Sequence, residues 1–323
     1  MTRTHSSALL ALALLCLCPT ARAESGDTWL SLAQATQPAK AQPAPAAVQP
    51  AGPAEPQKWE RPLPLYFGLD YVLASDYIFR GVNFSEFARE GREKPSHQLT
   101  VWVEYDTGVA GTVGGYVWFD WFAANRTLVP GTDSNLYEAD YALYWRYNIE
   151  KLYTTVEIGW AAYTYPPFTG DFHTTYELWG KLTFDDSVLF GTKGPVFNPY
   201  VQYWHDYDVV KGGWLELGAK HDFALAELGM GDVPVLKDIT VTPSLALGMD
   251  HRYNTKALGF SPATRLGNIQ YGLDVVYNVS QALGVHERWG VVKVGPFLRF
   301  SQALFDEITQ DEFWGGLKVS YAW

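Results

Sequence analysis

The sequence predicts an all-β protein, a transmembrane antiparallel up-and-down β-barrel of about twelve strands. Segments of roughly ten residues, alternating between apolar and polar side chains, follow one another from residue 65 to the C-terminus, as in such barrels. The chain of 323 residues contains 13 Trp, 20 Tyr and 17 Phe, yet its mean hydropathy of −0.12 is slightly polar. That combination is typical of strands with one apolar and one polar face.

Residues 1–23 have the regions of a cleavable signal peptide. Arg3 precedes a short apolar run, and Ala21-Arg22-Ala23, with small residues at its first and third positions, forms a cleavage site. The run is too short for a transmembrane helix, which needs about 20 apolar residues. Both cysteines of the chain, Cys16 and Cys18, lie in this segment, so we expect an exported protein without disulfides. Lipoprotein processing at one of them is an open alternative.

Residues 24–63 are rich in Ala, Pro and Gln and have no apolar periodicity. This composition predicts a disordered periplasmic tail or linker. Binding of the cell wall or of a partner by this tail is an alternative. Residues 64–323 then form the barrel.

The strands are expected at 65–80, 97–107, 112–124, 136–149, 152–162, 172–185, 197–206, 213–222, 239–250, 268–279, 291–301 and 313–323. Short connections such as 107–111 alternate with long ones such as 81–96, and an even strand number places both termini in the periplasm. The connection 224–237 is long for a periplasmic turn. Pro199, Pro243 and Pro296 each remove a ladder donor, so bulges or strand ends are expected near them.

The two faces of the predicted strands differ sharply in charge. In 172–185 the apolar face carries Phe172, Thr174, Tyr176, Leu178, Gly180, Leu182 and Phe184, and in 136–149 it carries Tyr137, Ala139, Tyr141, Leu143, Trp145, Tyr147 and Ile149. Throughout the twelve segments this face holds no Asp, Glu, Lys or Arg. One basic residue at a lipid-facing midplane costs about 2–4 kcal/mol, so a bilayer selects against it. A soluble β-sandwich is the alternative, but its apolar face would have fewer aromatic residues.

The C-terminal strand ends on an aromatic residue and presents one apolar face. That face consists of Phe313, Leu317, Val319, Tyr321 and Trp323. It resembles the terminal signal that outer-membrane barrels present to the barrel-assembly machinery, although the usual last residue there is Phe. We therefore expect that machinery, outer-membrane lipid and lipopolysaccharide as partners, and a location in the bacterial outer membrane. A formal net charge of −11 argues against nucleic acid.

The end of the first predicted strand, Ser75-Asp-Tyr-Ile-Phe-Arg-Gly81, resembles the strand-one motif of the TorF-type family of outer-membrane porins. The likeness is local to this motif and to the general barrel pattern. It implies a porin-like role and names no substrate. By alternation Asp76 and Arg80 point inward and form an ion pair near the outer mouth; ordinary interior packing of the two charges is the alternative.

The residues expected to line the pore are the inward charges and one tryptophan. They are Asp70, Asp76, Arg80, Glu104, Asp120, Glu138, Asp140, Arg146, Glu157, Glu177, Trp179, Lys181, Glu216, Lys220, Asp274 and Arg299. Acids outnumber bases, which predicts a narrow, cation-preferring channel for a small, unidentified solute. Asp120, Glu157 and Glu177 lie near the middle of their strands and are the predicted constriction. Trp179 and other inward aromatic residues stack on a solute or simply fill the lumen.

Two other classes of function are alternatives. A lipid-modifying outer-membrane enzyme needs a His beside a Ser near one rim, and the candidates are His205 and His221. A structural or adhesive barrel would bind through its external loops, which are short here. The seven His are scattered, so neither a metal nor a cofactor is expected.

Overall fold

The computed structural model describes residues 63–87, 95–122, 136–166, 173–305 and 307–323. The predicted signal peptide and nearly all of the Pro-rich tail lie outside these ranges. No helix within them is both long and apolar enough to cross a membrane.

Twelve long antiparallel strands of the described residues form one closed barrel. They are β1 (Leu65–Ala74), β2 (Ser96–Asp106), β3 (Thr112–Phe122), β4 (Leu136–Ile149), β5 (Thr154–Thr164), β6 (Thr174–Phe184), β7 (Tyr200–Asp206), β8 (Gly213–Lys220), β9 (Ile239–His251), β10 (Thr264–Asn278), β11 (Val291–Ala303) and β12 (Glu312–Ala322). Each strand pairs with its neighbours in sequence, and β1 pairs with β12 from Gly68 opposite Ala322 to Ala74 opposite Gly316. Closure removes the free edges that an open sheet would present.

The predicted strands correspond one to one with the observed ones, so the barrel prediction is confirmed. The largest difference is in β1, which ends at Ala74 instead of continuing to residue 80. Beyond it the chain turns into the barrel, as described below. The strand β10 also begins earlier than predicted, at Thr264 instead of residue 268.

Two bulges interrupt the ladders. Between β3 and β4, Asp120 pairs with Glu138 and Trp121 with Leu136, so Tyr137 is an extra residue. It is 6% exposed and belongs to the interior aromatic cluster, so its assignment to the apolar outer face was wrong. The second bulge makes Gly267 the extra residue on β10.

The three prolines do not coincide with these bulges. Pro199 directly precedes β7 and accepts a backbone hydrogen bond through its carbonyl. Pro243 pairs opposite Leu273 and Pro296 opposite Leu317, with no register shift at either. The expected strand end is therefore found at Pro199, whereas the register does not shift at Pro243 or Pro296.

The outer face of the strands is apolar and uncharged. Its outward positions carry no Asp, Glu, Lys or Arg among the described residues, and many large apolar side chains there are solvent-exposed. Representatives are Val101, Tyr141, Leu143, Ile158, Leu178, Leu182, Leu217, Leu245 and Phe313, each more than 40% exposed. A continuous apolar surface of this kind is what a membrane-spanning barrel presents to lipid.

The connections differ between the two ends. At the end that holds the C-terminus, 107–111 and 150–153 are short turns, as predicted. Three later connections there are longer and contain helices: α1 (Ser187–Phe190), a π-helical turn at Ala226–Met230, and α2 (Val279–Ala282). The predicted alternation of short and long connections therefore holds only in the first half of the barrel.

Candidate functional site: the barrel interior

The side chains predicted to line the pore are all buried or partly buried in the structure. Asp70, Asp76, Arg80, Glu104, Asp120, Glu138, Asp140, Glu157, Glu177, Trp179, Glu216, Asp274 and Arg299 are buried. Arg146, Lys181 and Lys220 are partly buried. The outer face is apolar and the inner face charged because the side-chain direction alternates along each strand.

The charges are unevenly distributed around the interior. The strands β3 to β6 carry an acidic wall of Asp120, Glu138, Asp140, Glu157 and Glu177, in which Asp120 lies directly opposite Glu138. The bases Arg299 on β11 and Lys318 on β12 lie elsewhere on the circumference. Arg146 on β4 and Lys181 on β6 are the bases of these same strands, so five carboxylates face two strand-borne bases on this side of the lumen.

Several interior charges are paired between neighbouring strands. Arg146 contacts Glu104 at 2.9 Å and Glu157 at 2.5 Å, and so joins β2, β4 and β5. Lys318 lies 3.3 Å from Asp70 across the closing pair of strands, and Arg299 pairs with Asp274. Buried charges need such partners, because an unpaired one costs several kcal/mol (order-of-magnitude).

The segment after β1 folds into the barrel instead of extending the strand. Ile78–Phe79 pairs with Val82–Asn83, and Arg80 and Gly81 form the turn between them. Both turn residues have positive φ, +50° for Arg80 and +79° for Gly81, as a type I′ turn requires. We call residues 78–83 the lumen hairpin. It is followed by the short helix α3 (Phe84–Phe87).

Space for the hairpin tip is limited. A Cβ atom added to Gly81 would lie 2.9 Å from the Nδ2 atom of Asn268 and 3.1 Å from a Thr309 methyl group. Glycine is thus required at residue 81 both by its positive φ and by this contact. The hairpin tip reaches β10 on one side while its arginine reaches β6 on the other.

Arg80 is the best-coordinated charge of the interior. Its two terminal nitrogens each donate a 2.7 Å hydrogen bond to Glu177. The guanidinium carbon lies 4.5 Å from the Phe79 ring centre, 4.2 Å from Tyr253 and 5.3 Å from Trp204. Arg80 is 1% exposed and Glu177 is 0% exposed. The expected ion pair between Asp76 and Arg80 is therefore wrong, because the inward turn carries the arginine across the lumen to β6.

A second anchor of the same segment is Tyr77. Its hydroxyl donates a 2.9 Å hydrogen bond to Glu138, and its ring packs 5.4 Å from Trp118 and 5.6 Å from Phe84. Burial and the neighbouring Glu138 carboxylate raise the pKa of the Tyr77 phenol well above its ordinary value. The phenol therefore stays protonated and able to donate.

A second connection also folds inward. Helix α4 (Tyr253–Ala257) follows β9, and Asp250 accepts hydrogen bonds from the backbone N–H groups of Tyr253, Asn254 and Thr255. Asp250 thereby satisfies backbone N–H groups in the first turn of α4, which have no partner within the helix. Asn254 in turn donates a 2.9 Å hydrogen bond to the Arg80 carbonyl. Asp250 thus positions both Tyr253 and Asn254 against the lumen hairpin.

The three residues predicted to form the constriction all have protein partners. Glu177 binds Arg80, Glu157 binds Arg146, and Asp120 accepts a hydrogen bond from Ser96. Sequence reasoning missed Phe79, Trp204, Tyr253 and Asn254 as contacts of Arg80. The Arg-Gly pair between Ile78-Phe79 and Val82-Asn83 was the local signal for a hairpin turn.

The two histidines considered for catalysis lie apart from serine partners in the strand ladders. His205 points outward, stacks beside Tyr203, and has Leu178 and Gly213 opposite it. His221 bonds the Val196 carbonyl and packs on Phe223. Neither arrangement is that of a nucleophile and its base.

Comparison with solved structures gives distant similarities. The NanC porin aligns with a TM-score of 0.44 at 10% identity, covering 78% of this chain and 98% of that one. An outer-membrane channel from Pseudomonas putida F1 aligns with a TM-score of 0.45 at 7% identity, covering 84% of this chain and 100% of that one. The outer membrane protein OprD from Pseudomonas aeruginosa aligns with a TM-score of 0.30 at 11% identity, covering 80% of this chain and 93% of that one.

Similarity at this level assigns neither a solute nor a mechanism. No family model and no curated protein matches the sequence. The resemblance to the TorF-type family therefore stays a prediction.

Proposed function

We propose that the protein is an outer-membrane, porin-like channel for small solutes. The observation that carries this proposal is the contrast between the two faces of a closed barrel. The outward strand positions have no formal charge, whereas the inward ones carry acids and bases from nearly every strand. Lipid favours the first arrangement and an aqueous solute path favours the second.

The size of the barrel supports a narrow path. Twelve strands enclose more space than the filled interior of eight and less than the lumen of sixteen. The lumen hairpin occupies part of that space, since its tip reaches Asn268 and its arginine reaches Glu177. We propose that this hairpin, more than the strand-borne carboxylates, sets the constriction.

A preference for cations follows from the acidic wall. Four more carboxylates, Asp70, Glu104, Glu216 and Asp274, lie elsewhere on the inner face. The acidic side chains of the inner face therefore outnumber the basic ones. Carboxylates lining a pore attract cations and repel anions. The solute we propose is therefore small and cationic or uncharged.

Both termini are proposed to lie in the periplasm. An even number of strands places them at the same end, and the periplasmic end is the usual one for the termini of bacterial outer-membrane barrels. In this orientation the lumen hairpin follows β1 at the extracellular end. The assembly machinery, lipid and lipopolysaccharide remain the proposed partners.

Planar-bilayer recording tests the channel itself. The refolded mature protein should give discrete current steps smaller than those of a sixteen-stranded general porin. A Glu177→Gln variant, whose hairpin loses its ionic anchor, should give larger steps. If neither protein gave steps, the barrel would be filled and the channel assignment wrong.

A further inference from the structure

The surroundings of Arg80 form a receptor for a guanidinium group that is built mostly from residues outside the lumen hairpin. Glu177 lies on β6, Trp204 on β7 and Tyr253 on α4. We call these three side chains the guanidinium cage. Only the fourth contact, the Phe79 ring, comes from the same hairpin as Arg80 itself.

The chemistry of the cage selects a planar fork over a point charge. Two parallel hydrogen bonds of 2.7 Å join the two terminal nitrogens to the two oxygens of Glu177, which is the geometry that guanidinium offers and ammonium does not. Tyr253 and Trp204 lie 4.2 Å and 5.3 Å from the guanidinium carbon, within the range of cation–π contacts. Burial of the cage strengthens both kinds of contact.

The Arg80 guanidinium that fills the cage is carried by the lumen hairpin, which has little stability of its own. Each strand of the lumen hairpin has two residues, and short isolated hairpins are marginally stable in water. Arg80 also adopts a φ of +50°, which non-glycine residues adopt at a cost. The hairpin is therefore retained by the contacts it makes with the wall. A competing ligand can replace Arg80 in the chief contact, the one with Glu177.

We propose that Glu177, Trp204 and Tyr253 form a binding site for solutes that bear a guanidinium group, with Arg80 as its internal occupant in this conformation. An entering guanidinium compound exchanges with Arg80 and releases the hairpin from the wall. The site lies in the interior of the proposed channel, but its binding capacity does not depend on conductance.

An Arg80→Asn variant vacates the cage while keeping the turn. Asn-Gly is a favoured sequence for a type I′ turn, and the shorter side chain does not extend to Glu177. Isothermal titration of this variant in detergent with methylguanidinium chloride should show saturable binding. The double variant Arg80→Asn/Glu177→Gln should bind about tenfold more weakly or worse, because charge-assisted paired hydrogen bonds are lost.

Two controls test whether the cage is specific. Methylammonium chloride should bind the Arg80→Asn variant several-fold more weakly than methylguanidinium. Arg299→Ala vacates a similar volume beside Asp274, where the arginine contacted one carboxylate oxygen and one ring, and should bind methylguanidinium more weakly. Equal binding in either comparison would overturn the proposal, as would no binding to a folded Arg80→Asn barrel.

The wild-type protein provides an assay that does not depend on folding of a variant. Methylguanidinium should increase hydrogen exchange of the backbone amides in residues 78–83 above the level in potassium chloride at equal concentration. Unchanged hydrogen exchange in residues 78–83 would overturn the proposal that the ligand replaces Arg80 in the cage. Because these assays use detergent-solubilised protein, a barrel that binds methylguanidinium but gives no current steps would contradict the channel and leave the binding site standing.

Discussion

The hydroxyl group of Tyr77 donates a 2.9 Å hydrogen bond to Glu138, 61 residues further along the chain. Tyr77 lies just before the lumen hairpin and Glu138 on the acidic wall. A second link, between Arg80 and Glu177, joins the same hairpin to the next part of that wall. Together with the hydrogen bond from Asn254 to the Arg80 carbonyl, these two links hold the hairpin inside the barrel, and loss of either should loosen it.

Glu177→Gln is expected to release the hairpin. It leaves the buried Arg80 without its counter-charge, and removing one partner of a buried pair costs about 3–5 kcal/mol. We expect larger current steps and faster hydrogen exchange in residues 78–83. Glu216→Gln is the matched control, because Glu216 accepts a hydrogen bond from Tyr200, which glutamine can also accept. Unchanged step size in Glu177→Gln would show that the hairpin does not limit the path.

Leu143→Arg should destabilise the barrel in lipid by about 2–4 kcal/mol. Leu143 lies in the middle of β4, points outward and is 64% exposed, so the new charge would enter the hydrocarbon. Val109→Arg is the control, since Val109 is 95% exposed in the turn 107–111 and should change stability little. Urea unfolding in lipid bilayers measures both. Equal effects would argue that the outer face of β4 does not meet lipid.

The last strand is expected to act in assembly. Phe67 and Trp323 exchange two backbone hydrogen bonds, and their rings lie 5.0 Å apart at the seam between β1 and the C-terminus. Deleting Trp323, or changing Tyr321 and Trp323 to Glu, should block membrane assembly while export to the periplasm continues. Trp289→Glu, at an exposed turn, should assemble normally. Wild-type amounts of heat-modifiable barrel in the terminal variants would refute the assembly signal.

Removal of residues 24–62 should leave the barrel able to fold. A Pro-rich segment without apolar periodicity buries little surface, and the described barrel closes without it. Refolding in detergent, followed by the shift in electrophoretic mobility on heating, checks this expectation. Failure of the truncated protein to refold would instead make the tail a plug or a structural element.

The strands could be predicted because their signals are local. Alternation with period two and the exclusion of charge from one face act within each segment, and they located all twelve strands. Tyr137 shows the limit of this reasoning. It is turned inward by a bulge, and a bulge depends on the partner strand, which the pattern of one segment does not contain.

The interior contacts depended on chain folding that alternation does not encode. Alternation correctly predicts that Arg80 and Glu177 both point into the barrel. It does not predict that they contact each other, because they lie 97 positions apart in the sequence. The contact arises because β1 stops at Ala74 and the following segment turns into the lumen. Pairing Asp76 with Arg80 assumed a continuous strand, which is why that prediction failed.

The reversal potential of the refolded barrel under a potassium chloride gradient tests the central claim most directly. That claim is that the acidic inner face forms a narrow aqueous path through the membrane. Because acids outnumber bases there, the sign of the potential should show that potassium passes more readily than chloride, and Glu138→Gln with Asp140→Asn should reduce its size. A reversal potential with the sign for chloride would contradict the account.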